Sequence, residues 1–271
     1  MVQIHTWMTH PWMTSESNRT QKNHDMILSW FFVCLSDFMP LPFEILTIFP
    51  GMIDAYANES ILGRAQKAKL IQVNAHDLRA YTTDKHHKVD DTPYGGGPGM
   101  IMKVEPFDRA LRKIKKSGKT CVILTAAFGK PFTQADAKRF STYDQLIFLC
   151  GRYEGIDARV EEHLADEVFS IGNYVLTGGE LPALVMTDAI ARNIPGVLGA
   201  EASLEQESHT EDGYLEYPQY TKPEVYTPKQ NVLKKILAPE KKWEVPNVLL
   251  SGNHKNISAW REEQSKKKKR G

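Results

Sequence analysis

The sequence predicts an α/β fold, a parallel sheet covered by helices on both faces. Two observations lead there. Short apolar runs of strand character alternate with stretches of helical spacing, as in parallel strands joined by crossover helices. Glycine-bearing segments stand at residues 94–100, 150–157 and 171–180, and the last two directly follow strand-like runs at 145–150 and 167–170. Loops at the carboxyl ends of neighbouring strands are where open α/β sheets bind ligands.

The elements follow in order. Residues 43–49 are an apolar, β-rich run that stops at Pro50-Gly51. Residues 54–69 have helical spacing through Tyr56, Ile61, Leu62 and Ala65, with basic residues in the last turns. Residues 70–73 read as a short strand. Residues 77–100 read as a long polar loop rich in Asp, His and Gly, and an ordered loop of that length is usually functional. An amphipathic helix is expected over 105–117, closed by Gly118. A strand follows at 121–125, and then a helix at 133–140 with Thr133 as N-cap. A strand at 146–150 and helices at 157–164 and 181–193 complete the alternation. Residues 195–246 are polar, Pro-rich and weakly periodic, which suits a linker. Residues 253–269 read as one helix ending in lysines.

Composition narrows the class. With 271 residues, 41% hydrophobic and 25% charged, the chain has the makeup of an ordinary globular protein of one large domain or one plus a small one. Net charge is +1, but Lys266, Lys267, Lys268, Lys269 and Arg270 supply five positive charges, leaving 1 − 5 = −4 for the rest. A nucleic-acid partner would therefore be held by local basic patches. The apolar run at 26–35 is bracketed by Asp25 and Asp37 and falls short of the ~20 residues that a membrane span needs. The cysteines Cys34, Cys121 and Cys150 lack Cys-x-x-Cys spacing and read as buried reduced thiols. His86, His87 and the nearby aspartates lack the spacing of a metal site, and none is expected.

The glycine segments carry the chemistry. Without a Cβ the backbone can approach a ligand closely. Two such loops, close in sequence and each with a tyrosine, read as one pocket for a small flat ligand, although either alone could be a tight strand–helix turn. A dinucleotide-type Gly-x-Gly pattern just after the first strand is excluded, since that strand ends in Phe49-Pro50-Gly51-Met52. Ser208-His209 does not indicate a hydrolase, because adjacent side chains do not form a relay and no nucleophile elbow is visible.

On these segments, and on Ile194-Pro195-Gly196-Val197, residues 43–260 resemble the bacterial tRNA (guanine-N1)-methyltransferases of the SPOUT class. The resemblance implies a cytosolic homodimer whose chain threads a knot at the methyl-donor site and whose substrate is tRNA. It implies that the donor, S-adenosylmethionine, is bound by Gly151, Tyr153 and Glu154 of the first loop. From the second come Ser170, Ile171, Gly172, Asn173, Tyr174, Val175, Leu176 and Gly178. It implies methyl transfer to N1 of guanosine 37, with Arg192 stabilising the charge that develops on the base and Glu207 as general base. The family has an aspartate at the last position; glutamate keeps the carboxylate but adds one methylene, and Glu205 is the competing carboxylate.

The domain organisation expected is a foreign, disordered extension over 1–38, a donor-binding domain over 43–197, a linker over 198–246, and a short helical tRNA-binding region over 247–271. The chain is shorter at its end than family members, and residues 226–243 look like a lysine-rich insertion. Two rivals stay open, a SPOUT enzyme acting on another nucleotide and a non-catalytic RNA-binding module. The fold is expected to begin near Phe43, and Met39 is the expected translation start. A chain shortened to begin there should melt within about 2 °C of the full one, since deleting an unpacked segment changes little; calorimetry checks this.

Overall fold

The structure is a computed structural model that describes residues 39–199, 208, 214–228 and 242–268. The expected extension at 1–38, with Cys34, lies outside the described residues, as do Glu205 and Glu207. Strands β1 (Leu41–Thr47), β2 (Ile71–Asp77), β5 (Thr120–Pro131), β6 (Gln145–Cys150) and β7 (Glu167–Ser170) form one sheet, in the order β2-β1-β6-β5-β7. Every pairing in it is parallel. Two short strands, β3 (Asp90–Asp91) and β4 (Ile101–Met102), make an antiparallel pair apart from it. The helices are α1 (Pro50–Ala57), α2 (Ser60–Lys67), α3 (Val104–Ile114), α4 (Gln134–Phe140), α5 (Ala158–His163) and α6 (Glu180–Ala191).

Both faces of the sheet are buried, as the continuous apolar strands require. On one face Phe43, Ile45, Ile123, Leu146 and Phe148 pack against α1, α2, α4 and α6. On the other Leu46, Val122, Leu124, Ile147 and Leu149 pack against α3 and α5. Alternate residues of one strand thus serve opposite cores. The β7 edge is tied down by Glu167, which accepts from Lys130 Nζ and Arg139 Nη1, both at 2.6 Å.

Several expected bounds change. The helix expected over 54–69 is two helices, because Ser60 takes a positive φ of 49° at the break. The strand expected over 70–73 continues to Asp77, held by seven residue pairs with β1. The loop over 77–100 contains a 3-10 turn, Leu78–Tyr81, whose buried Leu78 joins the second core, and the strand β3. The helix expected over 105–117 ends at Ile114.

Thr133 caps α4 as expected. Its hydroxyl accepts from the Asp136 amide at 3.3 Å, and the Asp136 carboxylate accepts from the Thr133 amide at 3.2 Å. Thr133→Ala should lower the unfolding free energy by ~1 kcal/mol, measured by urea titration. Beyond the sheet, β8 (Val225–Tyr226) pairs with β9 (Trp243–Glu244), followed by α7 (Asn247–Leu250) and α8 (His254–Lys268). Tyr220 meets Trp260 of α8 with ring centroids 6.3 Å apart. No helix among the described residues is long and apolar enough to cross a membrane.

Candidate active site

Three adjacent strands, β6, β5 and β7, end at one place and open a cavity of about 410 Å³ between their carboxyl-terminal loops. The wall from β5 arises from a register shift. Thr125 and Lys130 both face Phe169 of β7, so residues 126–129 loop outward. Ala126, Ala127 and the exposed Phe128 of that loop line the cavity.

The first glycine loop follows β6. It is braced by the β4 segment, since the Glu154 amide donates to Met100 O at 3.1 Å and the Met102 amide donates to Gly155 O at 2.9 Å. The glycine-rich segment that leads into β4 is thereby docked beside the cavity, with Tyr94 fully exposed at its tip.

The second glycine loop follows β7. Ser170 Oγ donates to Gly172 O at 2.9 Å, and Tyr174 OH to Ile171 O at 3.3 Å, which folds the loop on itself. The loop then meets the first, with the Gly179 amide donating to Gly151 O at 2.9 Å. Thr125 Oγ1 sits between, 3.1 Å from Leu149 O and 3.3 Å from Gly179 O.

The charge of the lining is mainly acidic. Glu154, Asp157 and Glu161 face it against one cation, Arg152. The hydrogen bond from Arg159 holds the Asp157 carboxyl below its ordinary range, so it is ionised at neutral pH. Arg152 is bound through Nε to Glu180 Oε2 at 2.9 Å. Burial pushes the Cys150 thiol well up and the Cys121 thiol to about 12, so neither serves as a thiolate nucleophile.

Of the residues expected to bind a donor, Gly151, Tyr153, Glu154, Ser170, Ile171, Tyr174, Val175, Leu176 and Gly178 line this cavity. Gly172 and Asn173 belong to the same loop but not to the lining. Arg192 is not brought to it. The cavity lies at the amino end of α6, where Gly179 and Pro182 line it, whereas Arg192 is the C-cap of that helix. Twelve residues of helix separate the two ends by ~18 Å.

Sequence reasoning missed Thr125, Phe128 and Pro182 as lining residues, and the partnership of Arg152 with Glu180. The small-residue run Thr125-Ala126-Ala127 after an apolar strand is the signal that marks the first of these.

Comparison with known proteins came out in one direction. A profile described as tRNA (guanine-1)-methyltransferase TrmD matches residues 41–270. A tRNA (guanine-N(1)-)-methyltransferase of Staphylococcus carnosus is 49% identical over 221 residues, covering 82% of this chain and 84% of that protein. Its namesake in Ruminiclostridium cellulolyticum is 48% identical over 227 residues, 83% of this chain and 91% of that protein. One in Heliobacterium modesticaldum is 47% identical over 231 residues, 83% and 80%.

Proposed function

This chain belongs to the tRNA (guanine-1)-methyltransferase family, and from that premise we propose that it transfers a methyl group from S-adenosylmethionine to N1 of guanosine 37 in tRNA. The observation that carries the donor's place is the cavity at the ends of β5, β6 and β7. Its size suits a small ligand. Its backbone-rich glycine loops suit an adenine edge, and its carboxylates, Glu154 above all, suit a cationic sulfonium and ammonium. When bound, the donor supplies an electrophilic methyl group.

The residues of the chain do the rest. The loops align the methyl group with the incoming base, and proximity of this kind accounts for much of a transfer rate. The guanine must first leave its stack so that its Watson–Crick edge can reach the donor. Glu207 accepts the N1 proton, and the planar guanidinium of Arg192 faces the O6 and N7 edge, where negative charge develops.

Arg192 lies ~15 Å along α6 from Pro182, a residue of that helix that lines the cavity of its own chain, so it serves the donor cavity of a second copy. The homodimer this requires has a fitting surface. Leu181 and Val185 are 52% and 48% exposed on the outer side of α6, beside the exposed Met52 and Tyr56 of α1. Tyr56 OH binds Asp188 Oδ2 at 2.6 Å, joining the two helices. Leu181, Val185, Asp188 and Arg192 follow i, i+4, i+7 and i+11 spacing along one side. The knotted threading of residues 43–197, and the part of residues 247–271 in gripping tRNA, belong to the same reading, as does a cytosolic location.

Mass spectrometry of tRNA incubated with the protein and S-adenosylmethionine tests it. One added methyl at N1 of guanosine 37 is expected. A methyl elsewhere would indicate the other-nucleotide rival, and none at all the RNA-binding rival. Glu207→Asp restores the shorter carboxylate arm of the family, and its single-turnover rate should stay within ~10-fold of the parent or exceed it. Glu207→Gln, whose amide cannot take a proton, should abolish most methyl transfer while leaving donor binding unchanged, and near-parental single-turnover rates in that variant would remove Glu207 from its role.

A further inference from the structure

At the wall of the cavity lies an ion pair, between Arg152 and Glu180, whose burial calls for a reason. The Glu180 carboxylate is wholly buried at the first residue of α6. Its Oε1 accepts from the Thr47 hydroxyl at 2.6 Å and its Oε2 from Arg152 Nε at 2.9 Å. The Arg152 side chain is itself only 15% exposed. Its Nη1 donates to Thr177 O at 3.3 Å, and its guanidinium lies 4.7 Å over the Phe49 ring. A Cβ on Gly178 would fall on that guanidinium, 2.6 Å from Cζ, so the second loop passes directly against it.

Burying two charges costs desolvation that good geometry only offsets, and an apolar pair of similar volume is often as stable. What this pair supplies, and an apolar pair would not, is direction. Arg152 is in the first donor loop; Thr177 and Gly178 are in the second; Thr47 ends the strand between β2 and β6. We propose that Arg152 and Glu180 are positioning residues, which set the shape of the donor cavity by locking its two loops to each other and to the end of β1. The proposal rests on the reading of the cavity as a donor site.

The test measures donor affinity and stability together, by calorimetric titration with S-adenosylmethionine and by thermal melting. Arg152→Met leaves a buried unpaired carboxylate and should lower the melting temperature by roughly 6–20 °C, with donor affinity falling ~10-fold or more. The double variant Arg152→Met with Glu180→Gln removes both charges. It should recover most of the melting temperature and none of the affinity, while Arg152→Lys should regain part of the affinity. If the single variant does not fold, the double variant carries the test. Near-parental affinity in a folded double variant would make the pair structural only and overturn the proposal. A parent chain with no affinity for the donor would overturn the functional reading and the proposal with it.

Discussion

Gly179→Val should abolish measurable donor binding and lower the unfolding free energy by about 1–3 kcal/mol. The backbone at Gly179 is ordinary, with φ −85°, so the need for glycine is one of close approach. A Cβ there would collide with Thr125 Oγ1 and come within 2.8 Å of Cys150 Cα and 3.0 Å of the Gly151 nitrogen. Two of these three neighbours are backbone and cannot rotate away. The side chain would break the hydrogen bond from the Gly179 amide to Gly151 O and push apart the two loops that wall the cavity. Gly151→Ala is the comparison, since its Cβ would meet only the Ile156 side chain, at 3.2 and 3.4 Å. It should cost less than ~1 kcal/mol. Calorimetric titration and urea denaturation separate the two, and a Gly179→Val chain that binds the donor normally would refute the role of loop contact.

Arg192→Ala and Gly179→Val should each be inactive alone, and together, co-expressed, should regain about a quarter of the parental activity. The expectation follows from the length of α6, which holds Arg192 far from its own cavity. If each site takes its cavity from one chain and its arginine from another, half of randomly mixed dimers are mixed. Each mixed dimer then has one site with neither lesion. A site built within one chain would regain nothing. Single-turnover methylation of tRNA, measured with separate and mixed chains, distinguishes the two outcomes. A second variant pair, Val185→Glu in both chains, should abolish activity by placing charge in an apolar contact; sedimentation should show the chain as monomer.

Much of this protein was determined by sequence alone. The runs at Gln145–Cys150 and Glu167–Ser170, with glycine one or two residues beyond each, mark strands that end in the loops walling the cavity, because apolar continuity and the missing Cβ act on neighbouring residues. The Thr133 cap is equally local, needing only Asp136 three residues on. Nine of the expected donor residues meet in one cavity because they lie at the end of β7 or in the loops that follow β6 and β7. Tertiary structure alone decided what joins those loops. Arg152 and Glu180 are 28 residues apart, and Thr47 is 133 from Glu180. They meet because β1 lies beside β6 and β5 lies between β6 and β7, an order that no local period encodes. Likewise the sequence marks Arg192 by its setting, but only the rigid rise of α6 places it at the far end from the cavity. Periodicity reports which side of an element is buried, whereas strand order and helix length decide which distant groups are within reach.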